Sequence, residues 1–543
     1  MKKIKIILIS IVLLLLVGGV SYYMYLPAIN IHSSDFWMFL IAVFIIASVI
    51  SVFFWNRLKI KQENGSFNMD FQRPLKQNKL FKFFIVITLA LILIFILGSL
   101  LSSPIINSRK YRELIQIEER DFTEDVEQIS FNDIPILDKE SATLIGSRKM
   151  GSMVEFVSQF EVADNYTQIN QNGTPVRVTP LQYANLFKWF TNRGNGLPAY
   201  IKIDMTSQTA ECVKLKEGIK YSESEHFGRY IHRYLRFNYP TYIFDTINFE
   251  INDEGVPYWV CPVKDFTIGL FGGQTVKNVV LVNAITGELL NYAVKDVPNW
   301  IDRAYSPELL VSYYNYYGTL KHGFINSILG QRDCLQTTEG YNYIALNDDV
   351  WVYTGITSVT SDESIVGFVL MNQRTAETNF YSIAGAKEYS AMASAEGKVQ
   401  NLAYKATFPL LLNIGERPTY FIALKDAAGL VKKYAMVNIE QYTIVAIGDT
   451  ITQCEKDYMV QLKENNISIG DASNDAKTSG IIDKISECVI DGNSHYYFLL
   501  KGQDTIYDVV VADHISIVRY KEGSSIRFSY IEGTDSSIVT EIQ

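Results

Sequence analysis

Three charge-free apolar runs stand within the first hundred or so residues: Ile6 to Leu26, Phe36 to Trp55 and Phe83 to Leu101. A helix of about 20 residues rising ~1.5 Å each covers the ~30 Å of hydrocarbon in a bilayer. A buried core helix seldom runs so far without a polar face. Each run therefore predicts a membrane span, and the apolar excess behind the mean hydropathy of +0.06 is expected to sit there.

Lys2, Lys3 and Lys5 precede the first run, and seven Lys or Arg residues lie between the second and third, from Arg57 to Lys82. The connection from Pro27 to Asp35 has none. The positive-inside rule then predicts a multi-pass cell-membrane protein with a cytoplasmic N-terminus, a cytoplasmic loop at 56–82 and an extracytoplasmic remainder. The first run also has the basic start of a cleaved signal peptide. It is long for that role and shows no clear small-x-small site, and the orientation of the rest is the same in either case.

Residues 1–102 hold ten of the 49 basic and three of the 58 acidic residues, so the region beyond them carries a net charge of −16. Such a surface disfavours nucleic acid and anionic lipid as partners through bulk charge. The five cysteines, Cys212, Cys261, Cys334, Cys454 and Cys488, form no C-x-x-C and read as isolated, buried apolar groups.

A repeat follows. The tripeptides Leu281-Val282-Asn283, Leu370-Met371-Asn372 and Met436-Val437-Asn438 each end an apolar run before a polar corner and a second β-rich run. Asn suits such a corner because it bonds its own backbone and tolerates left-handed geometry. A strand-like segment precedes each corner and a helix-like one follows it. This predicts an α+β protein of antiparallel sheets, each with a helix packed on one face. Two weaker matches without the Asn lie upstream, in 154–192 and 198–235. The predicted division is a membrane domain at 1–102, a juxtamembrane segment at 103–152, two units within 153–255, a unit at 256–335, two more within 336–469, and a small β-barrel of the OB or SH3 kind at 479–543. The barrel is read from short strands and a hairpin at Asp491-Gly492-Asn493, and 470–478 reads as a linker.

The corner VLVNAITGELLNY resembles the signature of PepSY-type domains, carried by Asn283, Thr286, Gly287 and Glu288; the copies at Asn372 and Asn438 lack the Gly and resemble cystatin-like relatives. Over 180–465 the segments PTYIFDTINFEINDEGVPYWVCPV, QTTEGYNYIALNDDVWVYTGITSV and RPTYFIALKDAAGLVKKYAMVN resemble a family of Gram-positive membrane proteins loosely labelled cell-shape-determining. The PepSY resemblance implies extracytoplasmic protein binding and transfers no catalytic residue.

No P-loop, G-x-S-x-G or G-x-G-x-x-G occurs. His226 and His232 are six apart on a segment that reads as helical and face away from each other, so no H-x-x-x-H pair forms. Glu250, Asp253, Glu254, Asp348, Asp349, Asp362 and Glu363 read as solvated turn residues rather than a calcium loop. Gly269, Gly272 and Gly273 read as a loop between strands. Tyr313, Tyr314, Tyr316 and Tyr317 form the most unusual cluster. They read either as a partner-binding aromatic platform or, preferably, as helix-on-sheet packing. The expected function is a non-enzymatic, membrane-anchored extracytoplasmic binding or scaffold protein, without cofactor or metal, contacting envelope proteins. The alternative is an envelope hydrolase of glycan or peptide using paired carboxylates.

Overall fold

The computed structural model describes residues 2–56, 59–63, 66–70, 79–127, 134–135, 137–359, 364–467, 476–490, 493–511, 514–531 and 536–542; the side chains of 2–11, 13–14, 53–56, 59–63, 66–70, 490, 493 and 531 are excepted. The expected hairpin tip at Asp491-Gly492, most of the 470–478 linker, Asp362 and Glu363 lie outside these residues.

Three helices open the chain: α1 (Lys2–Tyr25), α2 (Ser34–Asn56) and α3 (Lys79–Ser102). Two segments among the described residues are long and apolar enough to cross a membrane, Ser34–Val52 in α2 and Lys79–Ser102 in α3. Against the expectation of three such segments, two are found. The run 6–26 does form α1, but most side chains of its first half fall outside the described set. The C-terminal half of α1 carries Gly18, Gly19, Ser21 and three tyrosines, a more polar end than those of the other two helices.

Beyond α3 the protein is mixed α+β. Among the described residues, four antiparallel sheets share one topology. In each, two short strands pair side by side with a long strand, which pairs with a second long strand, which pairs with a last one. The long pairs are Thr174–Tyr183 with Leu197–Asp204, Pro257–Ile268 with Gly272–Asn283, Asp349–Ser358 with Gly367–Asn372, and Arg417–Lys425 with Val431–Asn438. The third sheet gains a parallel edge from Glu118–Glu119. The second sheet already begins at Ile243, with Asn248–Ile251 pairing Pro257–Val260 across the tight turn at Asn252 to Gly255. The sequence division at 255/256 therefore cuts through a hairpin, because the turn residues Asn-Asp-Glu-Gly look like a boundary.

A helix follows each sheet: Ile231–Asn238, Pro307–Thr319, Glu388–Lys398 and Ile451–Glu464. The second and third of these helices separate successive sheets. Leu310, Tyr313 and Tyr314 pack between Val260, Val279 and Leu281 of the second sheet and Val352, Val369 and Met371 of the third. Ala391 and Ala395 fill the next gap, between Tyr353, Phe368 and Leu370 on one side and Tyr420, Ile422 and Val437 on the other. Cys454, Tyr458 and Leu462 cover the outer face of the fourth sheet. The sheets are thus buried on both faces, which is why Gly367–Asn372 and Leu410–Ile414 read as continuous apolar runs rather than alternating ones. The result is a layered stack in which the first unit also meets the third, through Thr167–Gln171 against Asp349–Ser358, and the fourth, through Asp138 and Leu144 against Lys425 and Gly429.

The C-terminal strands Ala476–Ile490, Asn493–Leu500, Ile506–Val510, Ser525–Ile531 and Ser537–Ile542 close into a barrel in the order first, second, third, fifth, fourth. The third and fifth run parallel. Phe498, Tyr507 and Phe528 fill its centre, with Tyr507 and Phe528 edge to face at 4.7 Å.

Candidate functional site

The corners between strands are built alike. Asn283 Oδ1 accepts the backbone N–H groups of Ile285 (3.0 Å) and Thr286 (2.9 Å), and Asn372 Oδ1 those of Arg374 (2.8 Å) and Thr375 (3.0 Å). Asn438 Oδ1 accepts from Gln441 at 2.8 Å. Gly287 (φ +81°) and Ala376 (φ +61°) occupy the same left-handed position, four residues after the corner Asn. Glycine takes that conformation at no steric cost, whereas Ala376 holds it under strain. The first sheet has the corner too: Asp204 Oδ1 accepts from Thr206 and Ser207, both at 2.9 Å, and Gln208 (φ +55°) takes the left-handed place. A search for Asn passes over Asp204, although Asp offers the same acceptor.

The tyrosine cluster is not an exposed platform. Tyr313 and Tyr314 are buried between the second and third sheets, and the Tyr313 hydroxyl donates to the Gln274 carbonyl at 2.8 Å. Tyr316 packs edge-on against Tyr111 at 4.7 Å, and Arg112 lies 5.9 Å from the Tyr317 ring. None of the four lines the cleft described next.

That cleft encloses about 720 Å³ and draws its walls from all four sheets. Arg177 comes from the first, Asn248 from the second, Tyr343 from the third with Tyr341 just before its strand, and Lys425 from the fourth, while Arg303 and Tyr305 come from the segment before the second helix of the stack. Arg177 is buried; its Nη2 donates to Gln168 Oε1 at 3.0 Å and its Nε to the Leu137 carbonyl at 3.2 Å. Arg303 donates from Nε to the Gln168 carbonyl at 3.3 Å and lies 4.6 Å from the centre of the Tyr343 ring, a cation–π distance. Among the described residues no carboxylate comes within ion-pair distance of either guanidinium. Burial and the like charge of Arg303 hold the Arg177 guanidinium below its ordinary value.

Two of the three carboxylates lining the cleft are closely engaged, and the third, the exposed Glu140, lies 3.9 Å from Lys425. Asp138 is bonded by Lys425 and by the Ser141 backbone N–H; burial pushes its carboxyl up, and these partners more than offset it, leaving it below the usual range. Glu308 accepts the Tyr341 hydroxyl at 2.7 Å. Behind Arg303, Glu250 and Asp302 are fully enclosed. The Asp302 backbone N–H donates to Glu250 Oε2 at 3.1 Å, and Asp302 Oδ2 accepts from the Asn170 backbone N–H at 2.7 Å. Burial raises both carboxyls, and for Asp302 the neighbouring Glu250 adds to it. The sequence reading of Glu250 as a solvated turn residue is thereby corrected: it sits on Asn248–Ile251, inside the junction of three sheets. Asp349, read the same way, is also buried, in a bidentate pair with Arg374 at 2.6 and 2.7 Å.

All five cysteines are unpaired, three of them buried, with Cys212 half-buried and Cys488 exposed. No group of three or more His, Cys, Asp or Glu able to hold a metal ion occurs among the described residues. His226 packs against Trp189 at 4.6 Å, while His232 meets Glu223 at 3.2 Å. Compared with family models and with curated proteins, the chain matches none.

Proposed function

We propose that this is a membrane-anchored binding protein, with its stack and barrel on the extracytoplasmic side, whose cleft takes an anionic, ring-bearing ligand such as a phosphorylated or carboxylated sugar. The observation that carries this reading is the Arg177–Arg303 pair: two guanidiniums lining the cleft bond the same Gln168, and among the described residues no carboxylate stands within ion-pair distance of either, Glu250 and Asp302 acting on Arg303 and Asp138 on Arg177 only from farther off. A planar, forked donor set suits phosphate or carboxylate oxygens. Tyr305, Tyr341 and Tyr343 supply apolar faces with polar tips, the kind of lining that orients a sugar ring.

Binding is favoured over hydrolysis because Asp138 and Glu308 are spent on Lys425 and Tyr341, Glu140 stands in solvent beside the same Lys425, and the raised Glu250–Asp302 pair is enclosed away from the cleft. An acid–base pair must reach the reacting atoms. A role in envelope assembly, through protein contacts as well as the cleft, follows from the resemblance of the repeat units to PepSY-type domains. The sheet-then-helix order of each unit supports that resemblance, and the barrel's strand order with its single parallel pair supports the OB reading.

The test is calorimetric titration of the full chain in neutral nanodiscs with a hexose phosphate and with the unphosphorylated hexose. Saturable heat from the hexose phosphate alone supports the reading. No heat from it, or equal heat from both sugars, counts against it.

A further inference from the structure

The helix Leu186–Asn192 is short, apolar and half unpartnered. Its Trp189 turns inward, where the indole Nε1–H donates to Glu225 at 2.8 Å. Its other face leaves Phe187 82% and Phe190 62% exposed. Phe227, held in the left-handed region at φ +53°, lies 6.0 Å from Trp189 and is itself 63% exposed. Aromatic groups so displayed mark a surface that meets something.

The patch is continuous with the outer ends of the N-terminal helices. The Arg233 guanidinium stands 4.0 Å over the Tyr23 ring of α1 and donates to the Phe227 carbonyl at 2.9 Å. Phe237 lies 6.5 Å from Tyr22, and Tyr22 lies 6.2 Å from Phe39, which is inside the span Ser34–Val52. Nearby, Phe271 reaches between the two spans, 6.3 Å from Trp37 and 5.1 Å from Phe95. Ring contacts therefore run from Phe39 through Tyr22 to Phe237, and Arg233 carries the connection from Tyr23 to Phe227 beside Trp189.

The charge of this region reverses that of the whole outer part. Residues 185–195 and 226–238 contain Lys188, Arg193, Arg229, Arg233 and Arg236 and no Asp or Glu. Arg193 lies 4.8 Å from the Phe190 ring, and Arg229 donates to the Arg193 carbonyl at 2.8 Å. The nearest acids in sequence are taken up, Glu225 by Tyr183 and Trp189, and Glu223 by His232. Exposed Phe and Leu interleaved with Arg and Lys beside a span is the pattern of an interfacial membrane contact.

We propose that Leu186–Asn192 and the turn Phe227–Arg229 seat on the bilayer surface, Phe187 and Phe190 entering the acyl boundary and Arg193 and Arg229 meeting anionic headgroups. This would hold the stack in a fixed orientation on the membrane. It also reverses locally what the net charge of the outer region implies about lipid. The proposal rests on α2 and α3 crossing a bilayer.

The test uses the full chain in nanodiscs of phosphatidylglycerol, with and without brominated acyl chains. The quenching of the emission added by Phe187→Trp is compared with that added by Val489→Trp, an exposed site on the barrel. The difference between wild type and Trp37→Phe reports whether the spans are inserted. The expected result is quenching of the added emission at 187 several-fold greater than at 489, and greater in phosphatidylglycerol than in phosphatidylcholine. Quenching of Trp37 with equal, slight quenching at 187 and 489 overturns the proposal while leaving the spans intact. Equal quenching in the two lipids removes the anionic partner. An unquenched Trp37 overturns the membrane reading itself.

Discussion

Gln168 and Arg303 meet backbone to side chain: the Arg303 Nε–H donates to the Gln168 carbonyl at 3.3 Å, while the amide oxygen of the same Gln168 accepts from Arg177 at 3.0 Å. One residue of the first sheet thereby gathers two cations, one from its own sheet and one from the segment beyond the second. Buried like charges raise each other's cost, and a bound anion relieves it.

Arg177→Gln and Arg303→Gln each remove one of the two guanidiniums from the cleft wall. Both variants are expected to lose the stabilisation that a hexose phosphate gives wild type, about 2.7 kcal/mol at a hundredfold excess over Kd. Arg177→Gln also relieves a desolvated cation, so without ligand it should unfold at a temperature equal to or above that of wild type. Thermal unfolding with and without hexose phosphate reads both effects. A ligand-induced shift unchanged in both variants would place the ligand elsewhere.

The enclosed pair Glu250 and Asp302 predicts a pH dependence of definite sign. A carboxyl whose folded pKa is raised favours the fold while protonated. Its contribution is therefore full below the ordinary carboxylate range, about 4, and is lost as pH rises through the raised folded value. Wild type should lose stability over that interval as the pair becomes charged. The double variant Glu250→Gln/Asp302→Asn keeps acceptors for the Asp302 and Asn170 backbone N–H groups and should show a flatter profile. Denaturant midpoints measured across pH check this; superimposable slopes would contradict it.

Gly318, near the end of the helix Pro307–Thr319, sits against the Leu335 carbonyl of the third sheet, where an added Cβ would strike backbone. Gly318→Ala should force helix and strand apart and cost about 1–3 kcal/mol, as overpacking does. Hydrogen exchange should show the loss in Leu335–Thr337 and in the helix, with the barrel unaffected.

Asp204 has a carboxyl held below its usual value: burial pushes it up, but the bonds from Ser207 and Thr206 more than offset that. Its share of stability is thus present above the ordinary aspartate range and lost as pH falls through the lowered folded value. Asp204→Asn should keep the corner and weaken this acid sensitivity, while Asp204→Ala should speed exchange of the Thr206 and Ser207 amides severalfold. Unchanged exchange in Asp204→Ala would deny the corner its role.

Much of the architecture was legible because its signals are local. The Asn283, Asn372 and Asn438 corners carry their own hydrogen bonds, and the apolar runs before them announce strands buried on both faces. The first sheet was blurred because Asp204 stands where the pattern sought Asn. The cleft was invisible for a different reason. Arg177, Arg303, Tyr343 and Lys425 are scattered over some 250 residues of sequence, and stacking alone brings them together. Glu250 and Asp349 looked like solvated turn acids because no sequence window shows the layer packed over them. The reverse happened at Tyr313 and Tyr314, where a conspicuous local cluster marks ordinary packing between two sheets.

The most direct measurement is the crystal structure of the protein soaked with tungstate, an electron-dense tetrahedral oxyanion that stands in for phosphate. An anomalous peak between the Arg177 and Arg303 guanidiniums, beside Tyr343, is the expected result, and it should vanish in Arg177→Gln/Arg303→Gln crystals. A cleft without density, or a peak that survives in the double variant, would contradict the assignment of this cleft as an anion site.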